Sequence, residues 1–216
     1  KEQLKESEER NEVLTKRFKK VKDEHKKNLL LLEWESNNRF NKGVRHHLAG
    51  EYLDASEEYG VATILNPRNS EAFCNWGTVL MELAKTKFGS EAEALYKEAI
   101  DKYQEAIKNK PDDYETYNNW GTALSDLAKT KSGSEAEELY DKAFEKFQQA
   151  IKYGGGSYNL ACLYALRNRK EEALKYLDRT LSRGEVSEKL EEEDNDWNSL
   201  RDDPDFKRLL SRHKGK

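Results

Sequence analysis

Proline, cysteine and long apolar runs are scarce in this 216-residue sequence. Three prolines and twelve glycines are too few for a fold of many short strands joined by tight turns. Two cysteines exclude a disulfide framework and make a reducing compartment the default. The longest aliphatic stretch, Leu29 to Leu32, is flanked by charge, so nothing approaches the roughly 18 apolar residues of a membrane helix. No secretory leader is read at the start, where Lys1 stands first. A soluble, cytoplasmic protein without membrane insertion is the expectation. An excess of charge of one sign is missing too. Lys and Arg number 38 against 42 Asp and Glu, a formal charge of −4, which supplies no broad cationic field for nucleic acid. What remains, 36% hydrophobic and 37% charged, suits long amphipathic helices with wet outer faces.

Internal repetition is the strongest positive signal. Residues 75–87 read NWGTVLMELAKTK and residues 119–131 read NWGTALSDLAKTK, and similar text follows each. Gly77 recurs as Gly121, a spacing of 44 residues, with weaker versions of the pattern before and after. Recurrence at this length means stacked supersecondary units. Within the second unit Phe73, Trp76, Leu80 and Leu83 form one helical stripe, and Ala92, Leu95, Ala99, Tyr103, Ala106 and Ile107 a second. Between them lies Gly89, then Ser90 with Glu93 three residues later, the spacing of a helix start with a capping box. Pro111-Asp112-Asp113 breaks the chain before the next unit. Small residues at Gly77, Ala99 and Ala106 let two antiparallel helices approach closely. The unit is a helix hairpin.

On these residues the sequence resembles the tetratricopeptide repeat (TPR) family. The signature positions are Gly43, Ala55, Tyr59, Ala62 and Pro67 in the first unit, and Trp76, Gly77, Ala99, Tyr103, Ala106 and Pro111 in the second. The third carries Trp120, Gly121, Ala143, Phe147 and Ala150, and the fourth Leu160, Ala161, Ala173, Leu177 and Leu181, with Thr180 in place of a small alanine. The resemblance implies an all-α fold, an α-solenoid of stacked antiparallel hairpins wound as a right-handed superhelix. Units are expected at about residues 36–69, 70–113, 114–153 and 154–183. The middle two are lengthened by about ten residues, in the second around Ala84 to Leu95, which predicts longer helices or a wider turn. Gly154-Gly155-Gly156 replaces the usual proline turn, and a break in the superhelix is allowed there.

The ends read differently. Residues 1–35 form a charged helix with sparse apolar positions, Leu4, Val13, Phe18 and Val21, serving as a packing helix for the first repeat or as a partner-binding arm. Residues 184–216 comprise an acidic linker and a terminal helix. Trp197, Leu200, Phe206 and Leu209 there form a cap over the last repeat, with an exposed acidic recognition site as the alternative.

No chemistry is read. His46 and His47 point about 100° apart on a helix and cannot form the facing pair of a metal site. Cys74 and Cys162 lie in different units without paired spacing, as buried or groove-facing thiols. Glu191-Glu192-Glu193-Asp194 lacks the alternation and central glycine of a calcium loop. No enzyme activity, cofactor or metal is expected.

A protein-binding adaptor is the function the resemblance implies, the first helix of each hairpin forming a concave wall. The register puts on that wall Phe40 and Val44; Glu71, Cys74, Thr78, Met81 and Glu82; Glu115, Asn118, Thr122, Ser125 and Asp126; and Tyr158, Cys162 and Leu166. Asn41, Asn75, Asn119 and Asn159 recur beside it, bonding either a bound peptide's backbone or the neighbouring hairpin's backbone. Family members that grip a chaperone's C-terminal carboxylate use basic groups where this chain has Phe40, Glu115 and Asn118, so that ligand is disfavoured. A mildly acidic groove with Met81 and Cys74 suits a basic or amphipathic peptide or helix. Self-assembly into homo-oligomers through the N-terminal helix or solenoid ends is the alternative.

Overall fold

The computed structural model describes the backbone of residues 2–184 and 194–213, with side chains from residue 12. Leu4 and Glu191 to Glu193 therefore lie outside the described side chains. The chain forms two compact units, one up to Asn69 and the other from Ser70.

In the first unit, α1 (Glu2–Leu48) turns through Ala49 to Glu51 into α2 (Tyr52–Leu65). The hairpin closes where α1 has least bulk. A Cβ on Gly43 would stand 2.7 Å from the ring of Tyr59, which is fully buried. Ser36 Oγ donates to the Ala62 carbonyl at 2.8 Å, and Arg39 pairs with Glu35 and Glu58. Helix α1 runs through the boundary expected at residue 35 without interruption. Since α2 has only 14 residues, it covers the C-terminal part of α1 and leaves residues 12–34 exposed.

The second unit stacks three antiparallel hairpins: α3 (Ser70–Lys85) with α4 (Gly89–Asn109), α5 (Tyr114–Lys129) with α6 (Gly133–Lys152), and α7 (Tyr158–Leu166) with α8 (Lys170–Ser182). Helices α4 and α5, and then α6 and α7, pack across successive hairpins. The first helices also touch, α3 with α5 and α5 with α7, so they form one wall. This is an all-α solenoid. The extra residues of the middle hairpins go into helix, since α3 and α4 are 16 and 21 residues long and their turn spans only Thr86 to Phe88.

The capping box expected at Ser90 and Glu93 does not form. Phe88 occupies the N-cap of α4 without a side-chain cap, the turn is made by Gly89 at φ +58°, and Glu93 instead meets Lys131 at 2.6 Å. Glu93 is thus spent on the next hairpin, leaving the helix start to a left-handed glycine. Trp76 and Trp120 are half-buried rather than sealed, with Lys102 and Lys146 over their rings at 3.9 and 4.2 Å. At Gly154-Gly155-Gly156 the chain hugs α6. Gly155 N–H donates to the Ala150 carbonyl at 2.8 Å, where a Cβ would stand 2.9 Å from the same oxygen.

Beyond α8 a 3-10 turn (Asn195–Trp197) packs on α7, and α9 (Pro204–His213) packs on α8. Trp197, Leu200, Phe206, Leu209 and Leu210 are buried in one cluster with Leu160, Leu163 and Leu177. Trp197 is fully buried, stacked on Phe206 with ring centroids 5.3 Å apart.

Candidate protein-binding face

The site begins with how α5 is held. Asp113 caps it, accepting from Thr116 N–H at 3.3 Å and from the Thr116 hydroxyl, and pairs with Lys110 at 2.8 Å. Burial opposes the Asp113 charge, yet Lys110 and Thr116 outweigh it and lower the pKa. One turn on, Asn119 Nδ2 donates to Cys74 Sγ at 3.8 Å and to Thr78 Oγ1 at 3.4 Å, tying α5 to α3. The acceptors on the neighbouring hairpin are side chains, not the backbone expected of this asparagine. Tyr103 donates to the same Thr78 hydroxyl at 3.3 Å.

Around this tie the wall is part floor and part rim. Cys74 and Met81 are buried, while Asn75, Thr78, Glu82, Asn118, Thr122 and Asp126 are half-buried. Burial pushes the Cys74 thiol up, against hydrogen bonds from Thr116 and Asn119, so it stays protonated and inert at neutral pH. Asn118 Oδ1 and Ser125 Oγ are buried without hydrogen-bond partners among the described residues. Glu71 and Glu115 are exposed at one register, 44 residues apart. Glu115 accepts only from Tyr114 at 3.3 Å among the described contacts, whereas Glu82 and Asp126 pair with Lys85 and Lys129. The open negative charge is therefore concentrated at Glu71 and Glu115.

At α7 the wall is covered by the chain itself. Tyr158 donates to Asp194 Oδ2 at 2.9 Å, Trp197 Nε1 donates to the Tyr158 hydroxyl at 3.2 Å, and the Cys162 thiol faces Asp194 at 3.7 Å. Tyr158 and Cys162, expected on an open wall, are thus occupied by residues 194–197. Asn159 and Leu166 are half-buried on the same helix. Asp196 reaches back to Lys129 at 2.7 Å. Burial opposes the Lys129 charge, but Asp126 and Asp196 outweigh it and raise the pKa. Burial and the neighbouring Asp194 and Asp126 push Asp196 up despite Lys129. Lys129 is thus shared by two carboxylates, Asp126 and Asp196.

Phe40, Asn41 and Val44 belong to the first unit. The Phe40 ring packs against Tyr59 at 5.8 Å, so it is a core contact of its own hairpin. Asn41 is exposed and Val44 half-buried. Sequence reasoning missed the Asp194–Asp196 segment as part of the wall. The only trace is Lys129, which repeats the local pairing of Lys85 yet faces a partner 67 residues away.

Among the described residues, two groups place three ligand-type atoms within 4.8 Å of one another: His46 with Glu51 and Asp54, and Cys162 with Asp194 and Asp196. Three of the carboxylates are engaged, Glu51 by His46 at 2.6 Å, Asp194 by Tyr158 and Asp196 by Lys129. Cys162 is held as a thiol by burial and the adjacent aspartates, unlike a metal-binding thiolate.

The model of the plant-specific mitochondrial import receptor subunit TOM20 matches residues 53–160, half of the chain, and a tetratricopeptide repeat model matches residues 158–186. Among solved structures, a thermophilic TPR protein of Thermus thermophilus is 16% identical, with 82% of this chain and 96% of that one covered at a TM-score of 0.59. MamA is 19% identical, with 69% and 78% covered at a TM-score of 0.51. These likenesses show the fold. No curated protein matches the sequence.

Proposed function

Because the chain belongs to the family of the plant-specific mitochondrial import receptor subunit TOM20, we propose that its α3–α5 face binds a basic, amphipathic segment of a protein awaiting import. Helical repeats of this kind are non-catalytic protein-binding scaffolds, and the chain is one of them. The carrying observation is the exposed pair Glu71 and Glu115 at one register of adjacent helices. Carboxylates in a row match Lys and Arg on one face of a helix, and the same row repels a terminal carboxylate. Further along α3, Cys74 and Met81 are buried and Thr78 is half-buried. The Asn119 tie holds the two helices before any ligand arrives, which lowers the cost of binding. A receptor meets its cargo before import, so the face belongs on the cytoplasmic side.

The test is charge reversal at the rim. Glu71→Lys with Glu115→Lys should weaken binding of a basic amphipathic helical peptide by about tenfold or more, in fluorescence anisotropy at low salt. The melting temperature should stay close to that of the parent, since both side chains are exposed. Unchanged affinity in a folded variant rules this face out.

A further inference from the structure

The uncovered part of α1 is a second surface of different character. At 3.6 residues per turn, Leu14, Phe18, Val21, Leu29 and Leu32, with His25 between them, fall within about 80° of the helix circumference. This stripe is continuous with the face that α2 covers further along, where Ser36 and Gly43 meet Ala62 and Tyr59. Over residues 12–34 none of the described residues covers it, and Phe18 is 73% exposed. A cleft lined by Leu29, Leu32, Leu65 and Pro67 marks where α2 stops.

Charge identifies the occupant. From Val13 to Leu32 there are seven Lys and Arg against two carboxylates, Asp23 and Glu24, in a chain whose formal charge is −4. Arg17 borders the stripe on one side, and Lys22, Lys26 and Lys19 on the other. Two copies joined along this stripe would bring those cations together, which is unfavourable. The cations also extend around both flanks and the back of the helix, more widely than a single partner helix can face. A helix with an apolar stripe, a Lys-rich remainder and no capacity to span is the form that adsorbs to an anionic bilayer.

We propose that residues 13–32 of α1 dock on an anionic lipid surface, with Leu14, Phe18, Val21, Leu29 and Leu32 in the acyl boundary and flanking lysines at the headgroups. Leu30 and Leu31 lie off the stripe and face away from the lipid. The inference does not depend on the peptide-binding face.

Sedimentation of the full chain with vesicles tests it. Binding is expected to equimolar phosphatidylcholine and phosphatidylserine, weakening as salt is raised, and not to phosphatidylcholine alone. Phe18→Ser with Leu29→Ser and Leu32→Ser should lower the partition coefficient about a hundredfold or more, as should Lys19→Glu with Lys22→Glu and Lys26→Glu. Leu30→Ser with Leu31→Ser should leave it within about twofold, because these side chains lie off the stripe. Circular dichroism checks that each variant keeps its helix. Absence of binding to anionic vesicles, equal binding to neutral ones, or an equal loss in the Leu30/Leu31 variant overturns the proposal. So does a concentration-dependent doubling of mass, abolished by the stripe substitutions, in a chain that ignores vesicles.

Discussion

At the residue scale, the tightest fits pair a glycine with an aromatic ring. A Cβ would stand 2.7 Å from the Tyr103 ring at Gly77 and 2.5 Å from the Phe147 ring at Gly121. In the last hairpin the corresponding pair is Ala161 with Leu177, both fully buried, so a smaller opposing side chain accompanies the added methyl. Gly121→Ala should therefore cost about 1–3 kcal/mol in urea unfolding, the range for overpacking a rigid core. Phe147→Leu combined with it should recover part of that loss. Much of this was legible in the sequence, because glycine, aromatic and alanine recur at fixed spacing. The partner of Asn119 was not, since hydroxyl, thiol and peptide are equally reasonable acceptors for its amide until α3 and α5 are placed together.

At the element scale, the hairpins of the second unit are tied to one another by polar contacts as well as by their stripes. Lys131 bridges Glu93 and Glu135, and Arg167 reaches Glu137 and Asp141 on α6. The helical periodicity announced the hairpins, but the role of Glu93 depended on which cation lay nearest in space, and Lys131 is 38 residues away. The tryptophans separate in the same way. Trp76 and Trp120 carry the repeat signature yet are half-buried, whereas Trp197, outside any hairpin, is sealed between α7 and α9. Trp197→Ala should cost about 3–5 kcal/mol, and Trp120→Ala distinctly less. Chemical denaturation of the two variants checks the order. Equal losses would mean that sealing Trp197 under the terminal segment contributes no more than half-burying Trp120 within a repeat.

At the scale of the whole molecule, folding buries tyrosines on several helices, and this gives stability a pH dependence with a definite sign. Burial pushes Tyr96 up to about 12 and raises Tyr103 and Tyr158 further. In the unfolded chain these phenols titrate near 10, so the unfolded state releases its protons first as the pH rises. Their contribution is complete below about pH 10 and is lost above it, by at most about 1.4 kcal/mol per pH unit for each tyrosine. Unfolding midpoints should fall progressively between about pH 10 and pH 12. A flat profile across that interval would show that the tyrosines remain equally accessible in both states. The proposed binding face admits a still more direct test, because Met81 is the only methionine in the sequence and is buried on α3 of that wall. A methyl label on methionine gives one resonance from the site. Titration with a basic amphipathic peptide should move that signal saturably, with the dissociation constant that anisotropy reports, and the Glu71→Lys, Glu115→Lys chain should need far more peptide. A stationary Met81 signal while the peptide binds would place recognition somewhere other than the α3–α5 wall.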